Sequence, residues 1–353
     1  MSHFEQRLER DVRRIRDEVA RLGEVLDGAV EASVRALAVR DRRLAYETIL
    51  RDQGVNRRVK AIDKMCHSFV VRHMPSAGHL RFVSSVLRIN IALERVGDYA
   101  VTICREAARL SRRPWGAIRR DMDLLVVEAR ASLGQSLKAF VSENADLARG
   151  THETASVLGR SFDQVFSDLI EEGDRGNRPI ADLFALLVVI NRLSRICDQA
   201  KNICEETIFV ATGEEKRGKK FRILFVDSTD SRWSQLARAM GRKAFEGRAV
   251  FASAGWSPAS HLDSEFAAFM SEHGYDPGDS RPNRMEPTLS FLGDFDILID
   301  LEGDLRERIE EVPYHCIVLS WRLEGVASLE EGYRRLTMSL SDLMGTLSGE
   351  AVA

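Results

Sequence analysis

Residues 93–104 read LERVGDYAVTIC, and residues 193–204 read LSRICDQAKNIC. Leu, Arg, Asp, Ala, Ile and Cys recur in register, and Val96 recurs as Ile196, so the two segments are copies of one unit. A unit that appears twice predicts a repeat architecture for the part of the chain that contains both copies.

The sequence around both segments has the pattern of long amphipathic helices. Apolar residues recur in steps of three and four, and Pro75 and Pro114 interrupt the pattern. At 1.5 Å per residue such helices are rods of about 40 to 50 Å, which pack as an elongated bundle. We expect one three-helix repeat over residues 1–114 and a second over residues 115–212, whose middle helix runs unbroken over residues 146–172.

The pattern changes after residues 213–220, a segment with two glycines and no apolar residue that is typical of a linker. Four apolar runs follow, separated by helical patterns, and each predicts a buried strand: residues 221–226, 249–252, 296–299 and 316–319. Such alternation predicts a small, doubly wound, four-stranded parallel sheet domain over residues 221–353. The expected fold class is therefore an all-α part followed by an α/β domain.

Composition excludes some classes of protein. The 353 residues carry a formal charge of −3 from 51 basic and 54 acidic residues, which argues against a surface built throughout for nucleic acid or anionic membranes. The five cysteines are few and odd in number, as in a protein with reduced thiols. No apolar run approaches the roughly 20 residues of a membrane span, and we expect a cytoplasmic protein.

Five arginines lie close together near the start of the chain. A solvated helix face is the simplest interpretation of this cluster, and contact with an acidic partner surface or with lipid headgroups is the alternative. The cluster consists of Arg7, Arg10, Arg13, Arg14 and Arg16.

The duplicated segment places acidic side chains at helical spacing within an apolar pattern. Glu94 and Asp98 lie four residues apart, so their carboxylates share one helix face and can converge on a hard cation or a basic partner. Arg95 and Arg195 offer ion-pair partners, so salt-bridged positions are the simpler interpretation and a metal site is the alternative. The second copy has Ser194 in place of the glutamate and continues with Asp198, Asn202 and Glu206, and a further polar stripe consists of Asp52, Asn56 and Asp63.

The motif pair, together with Pro75 and Leu80-Arg81, resembles the PhoU family of phosphate-signalling proteins over residues 4–210. The resemblance implies a six-helix, two-repeat bundle that negatively regulates phosphate uptake and the phosphate-starvation response. It also implies contact with the ATPase of the phosphate ABC transporter, with a sensor histidine kinase or with both, and membrane association only through these partners. A homodimer is possible, and neither nucleic acid nor an organic cofactor is expected.

The same resemblance implies a bound metal, divalent or trivalent and of unknown identity. Carried over onto this sequence, the first set of ligands is Glu94 and Asp98. The second set is Asp198, Asn202 and Glu206.

Residues 221 to about 345 resemble the low-molecular-weight protein tyrosine phosphatase and arsenate reductase family. The resemblance rests on the strand ending at Val226, on Ser234-Gln235-Leu236-Ala237 and on Ser253-Ala254-Gly255. In that family the loop after the first strand carries a cysteine nucleophile and an oxyanion-binding arginine within a cradle of backbone N–H groups. Asp227 and Trp233 stand at those two positions here, so the resemblance implies a pseudophosphatase module with no catalytic residue.

The altered loop has two interpretations. Its Asp, Ser and Thr residues are good helix N-caps that satisfy the N–H groups at a helix start, which is the simpler interpretation. The alternative is that Arg232, one position early, partly restores anion binding. The loop consists of Asp227, Ser228, Thr229, Asp230, Ser231, Arg232, Trp233 and Ser234.

The leading hypothesis is a non-catalytic regulator of phosphate uptake and starvation signalling. A phosphatase or arsenate reductase with non-standard residues is the first alternative. A metal-binding assembly protein, suggested by the acidic ladders alone, is the second.

Overall fold

A computed structural model describes residues 3–157, 159–176, 178–214, 220–279, 281–313, 315–323 and 325–349. The chain divides into two compact units, residues 1–216 and 217–353. The first is the helical unit and the second is the α/β unit. Of the expected linker, residues 215–219 lie outside the described residues.

The helical unit consists of long helices joined by short turns. Asp41 caps the second helix by accepting a hydrogen bond from the backbone N–H of Leu44 at 3.0 Å, and Met74 ends the same helix in a left-handed conformation just before Pro75. The helices are α1 (His3–Val39), α2 (Arg42–His73), α3 (Ala77–Arg109), α4 (Gly116–Val141), α5 (Ala145–Val157), α6 (Gly159–Asp174) and α7 (Ile180–Thr212).

The middle of the second repeat is described as helix on both sides of one residue. One helix was expected over residues 146–172, and the structure describes α5 and α6 on either side of residue 158, which itself lies outside the described residues.

The duplicated segments pack against each other. Helices α3 and α7 are antiparallel neighbours, and Leu93, Val96, Leu193 and Ile196 are fully buried. Outside this seam, the guanidinium of Arg88 reaches Glu206, so the contact between the repeats continues at the surface. The apolar half of each copy is thus the core that joins one repeat to the other.

The described residues of the α/β unit form one four-stranded parallel sheet in the order β2-β1-β3-β4. This arrangement confirms the expected fold class. Its elements are β1 (Phe221–Asp227), α8 (Trp233–Ala244), β2 (Ala249–Gly255), α9 (Ser264–Glu272), α10 (Leu289–Leu292), β3 (Ile297–Asp300), α11 (Leu305–Arg308), β4 (Ile317–Ser320) and α12 (Leu329–Ser348), with a 3₁₀ turn at Pro277–Asp279.

Apolar residues cover both faces of the sheet. Ile223 and Phe225 belong to one buried cluster, and their neighbours Leu224 and Val226 belong to another, because successive side chains of a strand point to opposite faces. In the parallel register Val226 pairs with Asp300 of β3, so the carboxyl ends of β1 and β3 meet at one edge of the sheet.

The prediction of a buried fourth strand was wrong. Strand β4 pairs only with β3, at the margin of the sheet, and Ile317 is 55% exposed. Cys316 precedes the strand and is half-buried. Helix α11 is only four residues long, because the backbone is extended at Ile309, which ends it.

Two further sequence expectations concern the chain as a whole. None of the helices within the described ranges is long and apolar enough to cross a membrane. All five cysteines are free thiols. Cytoplasmic location stays a prediction.

Asp182 fixes the connection between the two repeats. Its buried carboxylate accepts hydrogen bonds from the backbone N–H of Ser111 (2.8 Å), the hydroxyl of Ser111 (2.6 Å) and the backbone N–H of Arg112 (3.1 Å). Burial alone would raise the pKa of Asp182, but these hydrogen bonds, together with the charge of Arg40, hold the pKa below its usual value. The start of α7 is therefore tied to the end of α3.

We expect Asp182→Ala to destabilise the helical unit by about 2 kcal/mol, because the N–H groups of Ser111 and Arg112 would lose a charged acceptor. Urea unfolding followed by helical circular dichroism would measure the change. The contribution should be present at neutral pH and disappear as the pH falls below about 4, since the folded-state pKa lies below the unfolded-state value. Asp17→Ala, at an exposed position on α1, is the matched control. Equal stability of the two variants would contradict this role.

Candidate functional sites

The first acidic motif lies on the outer side of α3. Glu94 and Asp98 are both exposed, so the expectation that the acidic groups lie inside an apolar face was wrong. The helical period explains the difference, because the buried stripe passes through Leu93, Val96 and Gly97 and leaves positions 94 and 98 toward solvent.

The structure brings Asp52 of α2 close to this motif. Burial, and then the negative charge of Asp98, raise the pKa of Asp52, while a hydrogen bond of 3.0 Å from the Asn56 amide lowers it. Gly97 permits the approach of the two helices, because a Cβ atom at that position would lie 3.2 Å from Asp52 Oδ1. Two carboxylates that repel each other favour a cation between them.

A groove of about 260 Å³ opens beside Asp52 between α1, α2 and α3. Small residues form much of its wall, and Glu24, Arg51 and Asp52 supply its charges. The small residues are Gly28, Ala29, Ala32, Gly97 and Ala100.

The second acidic motif is occupied by ion pairs and hydrogen bonds. The carboxylate of Asp198 forms an ion pair with Lys201 Nζ at 2.8 Å and a second one with Arg195 Nη1 at 3.4 Å. Glu206 accepts two hydrogen bonds from Arg88 Nη1, at 3.0 and 3.1 Å, and Asn202 donates to the side chain of Gln199 at 3.3 Å. The salt-bridge interpretation therefore describes this copy.

The two copies differ in how well they suit a metal ion. No group of three or more His, Cys, Asp and Glu side chains within the described ranges is arranged to hold one. In the first copy Asp52 and Asp98 lie close enough to repel each other, and Arg105 partly offsets their charge, whereas Arg195, Lys201 and Arg88 pair with the carboxylates of the second copy. The carboxylates of the second copy are thus already paired, whereas those of the first lie beside a like charge. Metal binding stays a prediction.

In the α/β unit, the side chain of Asp227 gathers the backbone N–H groups of the loop that follows β1. Its Oδ1 accepts from Thr229 at 3.1 Å and from Asp230 at 2.6 Å, and its Oδ2 accepts from Ser234 at 3.0 Å. Ser234 is one of the orphan donors at the start of α8, where the helix dipole favours a negative charge, and Thr229 and Asp230 belong to the loop before the helix. The protein's own carboxylate thus uses the N–H groups that could otherwise bind an oxyanion.

Asp230 is fully buried directly beside Asp227. Its Oδ1 accepts the hydroxyl of Ser234 at 2.9 Å, and its Oδ2 accepts the Gln235 amide at 3.0 Å and the backbone N–H of Asn283 at 2.6 Å. Burial raises the pKa of Asp230 to about 6, the hydrogen bonds oppose this rise, and the charge of Asp227 adds to it. This carboxyl group is the most strongly perturbed one in the loop.

The remaining loop side chains contact protein groups. Arg232 Nε donates to Asp263 at 3.1 Å, so its guanidinium is engaged at the start of α9. This contact gives no support to the alternative in which Arg232 restores anion binding. The hydroxyl of Ser228 donates to Glu302, and the hydroxyls of Thr229 and Ser231 lie 2.8 Å apart.

Trp233 is half-buried and packs against the core of the α/β unit. Its indole meets Phe266 edge-on, with ring centroids 4.8 Å apart, and it lies directly over Gly332 of α12. A Cβ atom at position 332 would be only 2.1 Å from the indole ring, so glycine is required for this contact.

Sequence reasoning missed a second carboxylate with the same arrangement as Asp227. Asp300, at the end of β3, accepts the backbone N–H groups of Glu302, Gly303 and Leu305 at 3.1, 2.7 and 3.0 Å. The available signal was an Asp at the end of an apolar strand, followed by a glycine-containing loop and a short helix.

Comparison with known proteins identifies the helical unit. The PhoU domain model matches residues 19–107 and 124–207, which is one match in each repeat. The helical unit of this chain belongs to the PhoU family. A "phosphate-specific transport system accessory protein PhoU homolog" of Pseudomonas putida is 27% identical over 220 residues, which cover 61% of this chain and 84% of the relative.

Solved structures agree with this assignment. The crystal structure of PhoU from Pseudomonas aeruginosa aligns with a TM-score of 0.55 and 25% identity, covering 58% of this chain and 99% of that one. A thioredoxin-dependent arsenate reductase of Corynebacterium glutamicum aligns with 38% of this chain at a TM-score of 0.33 and 22% identity, too weakly for a functional inference.

We expect Asp227→Ala to destabilise the α/β unit by about 2 kcal/mol, because three buried or half-buried N–H groups would lose their acceptor. The stability of Asp227→Asn should lie between those of Asp227→Ala and the wild type, since asparagine keeps one carbonyl oxygen as an acceptor. Urea unfolding followed by tryptophan fluorescence would measure the change, because three of the four tryptophans lie in the α/β unit: Trp233, Trp256 and Trp321. Asp342→Ala, on the exposed side of α12, is the control. An unchanged transition would show that the loop does not depend on Asp227.

In contrast to Asp227→Ala, we expect Asp230→Asn to stabilise the α/β unit, by about 2 kcal/mol at pH 7.5. The wild-type pKa of about 6 lies above the unfolded-state value, so the folded wild type loses stability as the pH rises from about 4 through 6. An asparagine can donate to Ser234 and accept from Gln235 and Asn283, which preserves the hydrogen bonds. Unfolding curves at several pH values would measure the effect, and a gain independent of pH would contradict its electrostatic origin.

Proposed function

We propose that this chain is a PhoU-like regulator of phosphate transport that acts through protein contacts. The family match in both repeats carries the proposal, together with the fact that the helical unit spans 84% of an accessory protein of the phosphate-specific transport system. Because the match covers most of the relative's length, the likeness extends over the whole helical unit and is not limited to one motif.

The proposed action is negative regulation of phosphate uptake and of the starvation response. The proposed partners are the ATPase of the phosphate ABC transporter, a sensor histidine kinase or both. The mixed charges on the outer sides of α3 and α7 support a polar, reversible protein interface, because charged rims set partner choice and association rate.

We further propose that a divalent or trivalent cation binds the first repeat beside Asp52, with Glu94 and Asp98 as the other ligands. The mutual repulsion of Asp52 and Asp98 supports this assignment, since a cation would relieve it. In the second repeat, Lys201 and Arg88 would have to leave Asp198 and Glu206 before a cation could bind.

The α/β unit is proposed as a non-catalytic binding module. The Asp227 carboxylate would repel a phosphate dianion, and the loop of residues 227–234 contains no thiol. Cys316 does not replace the missing nucleophile, because burial and the charge of Asp296 raise its pKa to about 11 and keep it protonated.

Two other functions make different predictions. An enzyme with non-standard residues would turn over an aryl phosphate, and Asp227→Ala would abolish that turnover. A metal-binding assembly protein would retain several ions per chain after purification without added metal.

We expect deletion of the gene to derepress phosphate uptake and the starvation response, and the wild-type chain to restore repression. Affinity capture of the wild type should recover the transporter ATPase or a sensor kinase. Glu94→Ala/Asp98→Ala should lower the metal content measured by elemental analysis, because the first cation site would lose two ligands.

The matched control is Glu307→Ala/Glu311→Ala, an exposed acidic pair in the α/β unit, which should behave as wild type in both assays. Unchanged phosphate uptake after deletion would overturn the regulator hypothesis. Unchanged metal content in Glu94→Ala/Asp98→Ala would overturn the metal assignment alone.

A further inference from the structure

The turn between α2 and α3 displays the two most exposed large apolar side chains of the described chain. Met74 is 87% exposed and Val71 is 81% exposed, and Leu80 follows at the start of α3. The first turn of α1 lies at the same end of the bundle, because the ring of Phe4 contacts His73 with centroids 5.7 Å apart. We call this group of Phe4, Val71, Met74 and Leu80 the apex.

The apex lies within a segment that carries no acidic residue. Residues 64–93 contain no Asp or Glu, and they include four basic residues and three histidines. These are Lys64, Arg72, Arg81 and Arg88, with His67, His73 and His79. Of the four basic residues, Arg88 is paired with Glu206. A charge asymmetry of this kind is unexpected in a chain whose acidic residues outnumber its basic ones.

Helix α1 adds positive charge to the same end. Arg7, Arg10, Arg13 and Arg14 are exposed, against the two exposed glutamates Glu5 and Glu9. The nearby carboxylate of Asp11 is held by His73 Nε2 at 2.9 Å and lies 3.8 Å from Arg72 Nη1, so it does not offset the charge of further arginines.

The apex is a rigid, convex corner. Met74 ends α2 in a left-handed conformation, with its N–H bonded to the carbonyl of Val70 at 3.0 Å, and Pro75 prevents continuation of the helix. His73 is packed between Asp11 and the rings of Phe4 and Phe69. The exposed side chains of the apex are therefore held outward by a fixed backbone rather than by a loop that could fold back over them.

We propose that the apex binds directly to the surface of an anionic lipid bilayer, with Val71 and Met74 inserted among the headgroups. A bilayer accepts apolar side chains that protrude from a convex corner without a matching pocket, and basic side chains around them are attracted to anionic lipids. A protein partner would need a complementary pocket and acidic rim of its own. This inference goes beyond the proposed function, in which membrane association runs only through partner proteins.

The test is flotation of the full chain with phosphatidylcholine vesicles, with and without phosphatidylglycerol. We expect binding only to the anionic vesicles, weakened by added salt. Val71→Ser/Met74→Ser should lower the partition coefficient about tenfold, because two apolar side chains no longer enter the interface. Arg10→Gln/Arg14→Gln should lower it about 25-fold, at about fivefold for each charge removed.

Leu50→Ser is the matched control, because Leu50 lies on the same helix α2, is 73% exposed and is more than twenty positions from the turn. We expect it to bind as wild type, and circular dichroism should show that every variant is folded. The proposal is overturned if the wild type ignores anionic vesicles, or if Val71→Ser/Met74→Ser binds them unchanged. Loss of partner capture by that variant without any vesicle binding would instead assign the apex to a protein interface and would leave the regulator hypothesis standing.

Discussion

The antiparallel packing of α3 against α7 is the contact on which the helical unit depends. Each duplicated segment contributes its apolar stripe to the same seam, where Leu93 and Leu193 are fully buried. Because the buried face of each segment is mostly apolar, its charged residues lie on the outer side. The duplication therefore produces both the core between the repeats and the two charged faces beside it, and Arg88 and Glu206 close the edge of the seam with an ion pair.

Local sequence signals predicted most of the elements, but not the contacts between residues that are distant in the sequence. Helix bounds followed from local signals such as Pro75 and Pro114, and the parallel sheet followed from its apolar runs. The ion-pair partner of Glu206 could not be predicted in this way, because Arg88 lies 118 positions away and only the packing of the repeats brings it near. The exposure of Ile317 was missed for a similar reason, since an apolar run does not reveal that its strand lies at the margin of the sheet.

In the α/β unit, side chains of the protein itself accept hydrogen bonds from the backbone N–H groups at the carboxyl edge of the sheet. Parallel α/β domains generally bind ligands at this edge, where loops expose backbone N–H groups. Here Asp227 and Asp300, at the ends of two neighbouring strands, each take up three such groups. The presence of capping residue types was visible in the sequence, but the choice of N–H groups depends on loop geometry. An edge closed in this way suits a unit that works through its outer surface, in keeping with the proposed PhoU-like regulator.

The contact between Trp233 and Gly332 has an evolutionary consequence. The indole occupies the space that any side chain at position 332 would need, and a glycine opposite a smaller residue would leave that space empty. An arginine introduced at position 233 would replace a half-buried indole and lose its edge-on contact with Phe266, so it should lower the stability of the unit if nothing else changed. Position 332 can therefore gain a side chain only together with a smaller residue at position 233, so the two positions constrain each other.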